Sequence, residues 1–168
     1  MVSMKELRDA DLFRGLNKNQ LQLLIKHANE EHFAAGEVIF FQGEIAQNLY
    51  VLLEGEVSLG VKAKDTIDMM AYSIEKRGEV FGLPVLIKPY RNNVSATCTK
   101  KVRAFSIRGE ILRKLMKQRS QLGLAIMERV TEIYFNRLNS TRAMITNLFK
   151  MFKFQTGKSH LIETYYET

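Results

Sequence analysis

The sequence predicts an α+β fold, an antiparallel β-roll of the jelly-roll (double-stranded β-helix) kind flanked by an N-terminal helix and a long C-terminal helix. Three observations predict it. From Glu31 to Ile74 short apolar alternations are separated by glycines, among them Gly36, Gly43 and Gly55, as the strands of a meandering antiparallel sheet require. A second alternating run spans Val94 to Ile107. After Arg108 the apolar period switches from two to about 3.6, and apart from Gly109 and Gly123 no strong breaker occurs before Gly157.

Composition bounds what such a chain can do. With 168 residues, 46% of them hydrophobic, it can bury one sizeable core. No run approaches the ~18 to 20 apolar residues that span a bilayer, and the amino end Met1-Val2-Ser3-Met4-Lys5-Glu6 has no signal-peptide core. The expectation is a cytoplasmic chain without a transmembrane segment. The single cysteine, Cys98, excludes an internal disulfide and reads as a small buried hydrophobe on a strand. A net charge of +7 favours an acidic partner, whether nucleotide, nucleic acid or anionic membrane, without choosing among them. His27, His32 and His160 lack metal-ligand spacing, so no metal site is expected. No paired carboxylates and no nucleophile beside a base emerge, which argues against an enzyme.

The elements follow in order. Asn17 caps a helix over Lys18 to Asn29, with Leu21, Leu24, Ile25 and Ala28 on one face. Strands are expected at His32 to Ala35, Val38 to Phe41, Leu49 to Leu53, Glu56 to Val61 and Met69 to Ile74. Between them and the second β-run lies Gly78-Glu79-Val80-Phe81-Gly82-Leu83-Pro84-Val85-Leu86, then Pro89-Tyr90-Arg91-Asn92-Asn93-Val94-Ser95. A glycine turn, a short apolar turn and then an arginine suit an anion pocket, because free backbone N–H groups and a guanidinium both favour phosphate oxygens. The helical part splits near Arg119, and Ser120 can cap a second helix running to about Phe152. This divides the chain into a roll with its helices over 1–119, a long helix over 120–152 and a tail over 153–168. At 1.5 Å per residue that helix extends ~48 Å, so part of it must leave the roll. Leu122, Ile126, Val130, Ile133, Arg137, Ser140, Met144 and Leu148 recur every three or four positions. They form a seam either for the helix's own roll or for a second copy in a homodimer.

These residues resemble a known family. The string Phe33-Ala34-Ala35-Gly36-Glu37-Val38-Ile39-Phe40-Phe41-Gln42-Gly43-Glu44, followed by Leu49 to Val57, resembles the β-roll of cyclic-nucleotide-binding domains in its spacing of Gly36, Gly43, Tyr50 and Gly55. Phe81-Gly82 and Arg91 fall where that family places its phosphate-binding cassette, and the resemblance covers roughly Asp11 to Leu148. The long helix is similar to that of catabolite activator protein-like sensors, in which Thr141 matches the threonine that meets adenine, with Asn139 and Ser140 beside it.

The cassette departs from the family pattern at one position. Phe-Gly-Glu is usual, and here Leu83 stands for the glutamate that accepts the ribose 2′-hydroxyl; losing one partner of a buried polar contact costs ~1 to 3 kcal/mol. Pro84 is acceptable in a first helical turn, which leaves Val85 and Leu86 as the backbone donors. Either Arg91 holds the phosphate or, with the register shifted by one, that place has passed to Asn92; Arg91 is then a solvated loop residue. Asn93 and Ser95 can add amide or hydroxyl contacts.

The resemblance implies a ligand-sensing regulatory module that binds a cyclic nucleotide, cAMP first among them, and signals through the long helix to a downstream protein that nothing in the sequence names. Leu83 supports an alternative, a degenerate roll that dimerises or binds protein without nucleotide. A third is the sensor half of a transcription regulator. Met151 to Thr168 is too short for a winged helix-turn-helix, so sequence-specific DNA binding by this chain is not expected. Phe149-Lys150-Met151-Phe152-Lys153-Phe154 reads as a helix end packed on its own protein or as a basic amphipathic patch for a membrane surface or partner. Gly157-Lys158-Ser159 lacks the earlier glycine and the strand of a P-loop.

Overall fold

The computed structural model describes residues 2–61 and 69–155, with backbone alone at 69–71 and 153–155. The expected tail from 156 onward, including His160 and Gly157-Lys158-Ser159, lies outside the described residues. The chain forms two compact units, Met1–Val130 and Thr131–Thr168.

The first unit opens with a helix that the sequence reading did not include. Ser3 and Glu6 form a capping box, each side chain bonding the other's backbone N–H, and start α1 over Met4–Asp9. A second box, Asn17 with Gln20, starts α2 at Lys18, but α2 stops at Ile25 rather than Asn29. Ala28 and Asn29 instead begin β1, Ala28–Phe33, which pairs along its whole length with the strand Val102–Arg108. A ladder of inter-strand hydrogen bonds overrode the helical spacing of Ala28.

The remaining strands are β2 (Val38–Phe40), β3 (Asn48–Glu54), β4 (Val57–Val61), β5 (Met69–Ile74), β6 (Val80–Phe81), β7 (Ser95–Cys98) and β8 (Val102–Arg108). The second β-run is thus two strands, broken at Thr99 to Lys101, and β6 adds a short strand within the cassette. They make two antiparallel sheets, ordered β1-β8-β3-β6 and β2-β7-β4-β5. This is the expected α+β roll. β3 lies between β8 and β6 and buries Leu49 to Leu53 without alternation, as a strand covered on both faces does. β4 alternates, sending Val57 and Leu59 inward with Ile74, Ala96 and Cys98.

An aromatic column fills one end of the roll. The Tyr50 ring stacks on Phe81 at 5.1 Å and on Phe40 at 6.1 Å, while Phe33 meets Tyr50 edge-on at 6.3 Å. An ionic cluster fastens α1 to β8: Arg103 donates to Glu54 at 2.8 Å, Glu30 at 3.1 Å and Glu6 at 3.3 Å, and Arg77 reaches Glu6 at 3.0 Å. Beyond β8 run α3 (Gly109–Gln118) and α4 (Ser120–Gln155). Leu122, Ile126 and Val130 of α4 are buried, and Arg129 Nε donates to the Asp11 carbonyl at 2.9 Å.

The second unit is the distal part of α4. Its apolar side chains include Phe135, Leu138, Met144, Ile145, Leu148 and Phe149, all exposed. Among the described residues no helix is long and apolar enough to cross a membrane.

Candidate functional site

The cassette begins where β6 ends. Gly82 takes φ +74°, and a Cβ there would stand 2.6 Å from the Asn48 carbonyl oxygen, so only glycine lets the chain turn this close to β3. A single 3-10 turn over Leu83–Leu86 follows, with Pro84 in its first turn. Leu83 is 1% exposed and Val85 fully buried, so both point into apolar packing rather than toward a ligand. The Val85 N–H, expected to face an anion, donates to the Gly82 carbonyl at 3.2 Å. Its carbonyl accepts from Arg113 Nη1 at 2.5 Å, and the same guanidinium lies 4.3 Å above the Tyr90 ring. Phe81 is buried in the aromatic column, and Leu86 is half-buried beside Tyr90.

The two residues left open for the phosphate differ in placement. Arg91 is exposed, pairs by backbone with Ile45, and donates from Nη1 to the Gly43 carbonyl at 2.9 Å. Asn92 is buried at 5% exposure. Its N–H donates to the Glu44 carbonyl at 2.9 Å and its own carbonyl accepts from the Gly43 N–H at 2.7 Å. The turn between β2 and β3 is thereby sewn to the end of the cassette. Asn93 is exposed, and the Ser95 hydroxyl accepts from the Gln42 N–H at 2.9 Å.

Behind this seam is a partly enclosed cavity of about 170 Å³. Ile39, Phe40, Ile45 and Tyr50 form its apolar lining. Glu44, Gln47, Asn48 and Asn92 supply the polar groups, so of the expected cassette residues only Asn92 lines it. Burial pushes the Tyr50 phenol above its ordinary pKa, so it stays neutral, and Asn48 Nδ2 donates to its oxygen at 3.2 Å. Glu44 Oε2 accepts from the Phe41 N–H at 3.1 Å. Gln47, Asn48 and Glu44 were missed from the sequence. The carboxamides cluster only once the β2–β3 turn is folded against Asn92, and no spacing rule reveals that.

The helix residues expected to meet a base belong to the second unit. Asn139, Ser140 and Thr141 are exposed there. Ser140 and Thr141 spend their hydroxyl protons on their own helix, donating to the Asn136 and Arg137 carbonyls at 3.0 Å each.

Known proteins carry this architecture. A relative in Mycobacterium tuberculosis, a CRP-like cAMP-activated global transcriptional regulator, is 27% identical over 142 residues, covering 84% of this chain and 61% of its own length. The chain therefore spans about three fifths of that curated relative. A solved structure from Geobacter metallireducens GS-15, named for cyclic-nucleotide binding, is 36% identical with a TM-score of 0.72, covering 82% of this chain and 99% of its own. The catabolite activator protein of Thermus thermophilus shares the fold, with a TM-score of 0.67 at 20% identity over 83% of this chain and 63% of its own. The model of the cyclic nucleotide-binding domain matches residues 30–119, from β1 through α3. The roll, its cassette turn and these matches together place the chain in the cyclic nucleotide-binding domain family.

Proposed function

We propose that the chain is a cytoplasmic regulatory module, not a catalyst, that binds a cyclic nucleotide, cAMP in preference, in its roll and signals as a homodimer through α4. The observation that carries this reading is the cassette turn at Gly82, kept inside the region where the family model matches. That the Mycobacterium relative is a cAMP-activated regulator supports cAMP as the first ligand to test. Arg91 is then the phosphate arginine, released from the Gly43 carbonyl when ligand enters, with Asn92, Asn93 and Ser95 as neutral neighbours. Thr141, with Asn139 and Ser140, would meet the base from α4. The ligand acts by favouring one arrangement of the helix over another, since equal affinity for both moves no population.

Leu83 favours a second reading, a roll that dimerises or binds protein without nucleotide. Its side chain is closed into the core at 1% exposure, where a ribose-binding carboxylate is usual in the family. Calorimetric and thermal-shift titrations with cAMP and cGMP, on wild type and Arg91→Ala, separate the two. Ligand at 100 times its dissociation constant stabilises by ~2.7 kcal/mol, and Arg91→Ala is expected to abolish the response. Silence toward both nucleotides at millimolar concentration would leave the nucleotide-free reading standing.

A further inference from the structure

An open groove of about 310 Å³ lies beside the cassette, wholly within the first unit. Its apolar walls are Leu86 and Tyr90 of the cassette, Met116 of α3, and Leu124 and Met127 of α4. Gly123 brings the two helices together: a Cβ there would stand 2.7 Å from the Met116 carbonyl oxygen, so only glycine lets α4 start this close to α3. Leu124 is left 63% exposed and Met127 37%, and Ile87, next to Leu86, is exposed as well. One exposed leucine means little, whereas apolar side chains gathered in a concave place mark a site of contact.

The rim of the groove is basic. Arg113 and Lys117 line it, and no aspartate or glutamate does. Lys114, one turn before Lys117 on α3, is also exposed. Glu110, the carboxylate on that face of α3, is paired with Arg108 at 3.6 Å. Possible occupants meet these groups differently. A second copy across a two-fold axis presents the same lysines to one another. A nucleic acid wants a bare ring on which to stack a base, but the Tyr90 face is covered by the Arg113 guanidinium at 4.3 Å. An acidic peptide with an apolar side chain suits both parts, because carboxylates complement the lysines and methionine adapts to the shape it receives.

We infer that this groove docks an acidic amphipathic segment of a partner protein, with one apolar side chain seated between Met116 and Leu124 and carboxylates on Lys114 and Lys117. It gives the downstream protein of the proposed function a chemistry, yet it stands whether or not the roll holds a nucleotide.

The test selects random dodecapeptides displayed on phage against the immobilised full chain, then titrates the enriched peptides, resynthesised, by fluorescence anisotropy. The expected consensus joins acidic residues to a Leu, Met or Phe. Leu124→Gln, at an exposed position, should weaken these peptides about tenfold. The double variant Lys114→Glu, Lys117→Glu should weaken them at least as much, and added salt should weaken the wild-type complex. Should a variant not fold, the wild-type methyl resonances decide: peptide that moves Met116 and Met127 but not Met144 supports the inference, and peptide that leaves them in place overturns it. It is also overturned if no such consensus is enriched, or if the enriched peptides ignore Leu124→Gln or the double charge reversal. A lower sedimenting mass for Leu124→Gln would make the groove a contact between copies, and Leu124-dependent binding of oligo-dT or phosphatidylserine vesicles without peptide enrichment would assign it to nucleic acid or lipid; either overturns the inference. Peptide binding without any response to cAMP keeps it and removes the cyclic-nucleotide reading. A response to cAMP with no peptide enriched does the reverse.

Discussion

Leu83 replaces a polar recognition group by packing, and its energetics follow from that exchange. Its fully enclosed side chain sits between the αL glycine and Pro84. Leu83→Ala is expected to cost about 2 to 4 kcal/mol, read as a lower urea midpoint, because the turn above it cannot close the gap. The identity of Leu83 as the odd residue was legible in the sequence, because the Phe-Gly-x-Pro string fixes its place. Its burial followed only from the fold. The choice between Arg91 and Asn92 was not legible. One residue of register decides which side chain turns inward, and that register is set by the Ile45 bridge and the Gly43–Asn92 bonds, contacts some fifty positions apart in sequence.

At the scale of elements, α1 is anchored by its buried Leu7 and tied to β8 by the Glu6–Arg103 pair. The Ser3 N–H bond keeps the Glu6 carboxyl below its usual range, helped by the Ser3 hydroxyl and Arg103 against the opposing effect of burial. Arg103 does the same for Glu54. Carboxylates depressed in the folded state stabilise above their unfolded value of 4.5 and lose that contribution as pH falls through their lowered folded values. The unfolding temperature should therefore drop on acidification below about pH 4.5. Glu6→Gln should start from a lower midpoint at pH 7 and show a shallower acid decline in a calorimetric pH series. α4 offers a different test. Its residues Leu122, Ile126 and Val130 are spent on the first unit, whereas Leu138, Ile145 and Phe152, seven apart, are exposed. An exposed heptad stripe suits a second helix. Ile145→Glu is expected to convert a dimer to monomer in sedimentation, and unchanged mass would count against dimerisation through this segment. Elements with strong alternation or caps were readable from sequence. β1 was readable only at its end, His32 and Phe33, because Ala-Asn-Glu-Glu carries little apolar signal and becomes strand by pairing with β8. α1 was missed although its Ser-x-x-Glu box was present to be read.

For the whole molecule, the division at Val130 makes independent folding of the first unit testable. A chain ending there retains the roll, α1 to α3 and the buried first turns of α4. It should unfold in one cooperative transition. If the proposed signalling holds, that shortened chain keeps the cassette but loses both the base contacts of α4 and dimerisation, so cyclic-nucleotide affinity and oligomeric mass should fall together. The order of roll and long helix was visible from the change of apolar period at Arg108. The boundary itself was not, since the helical period continues without a break through Val130.

Cys98 lies on β7, buried at 1% exposure, and its backbone N–H donates to the Glu37 carbonyl at 2.8 Å. Burial, with the nearby Glu37 charge, pushes its thiol up to about 11. As the chain's single cysteine, it is a clock built into the roll. A thiol-specific dye can reach it only when β7 parts from its neighbours, so at neutral pH the labelling rate counts openings of the sheet. A ligand that binds the closed roll would slow that clock, giving occupancy a readout that needs neither a partner nor a signal.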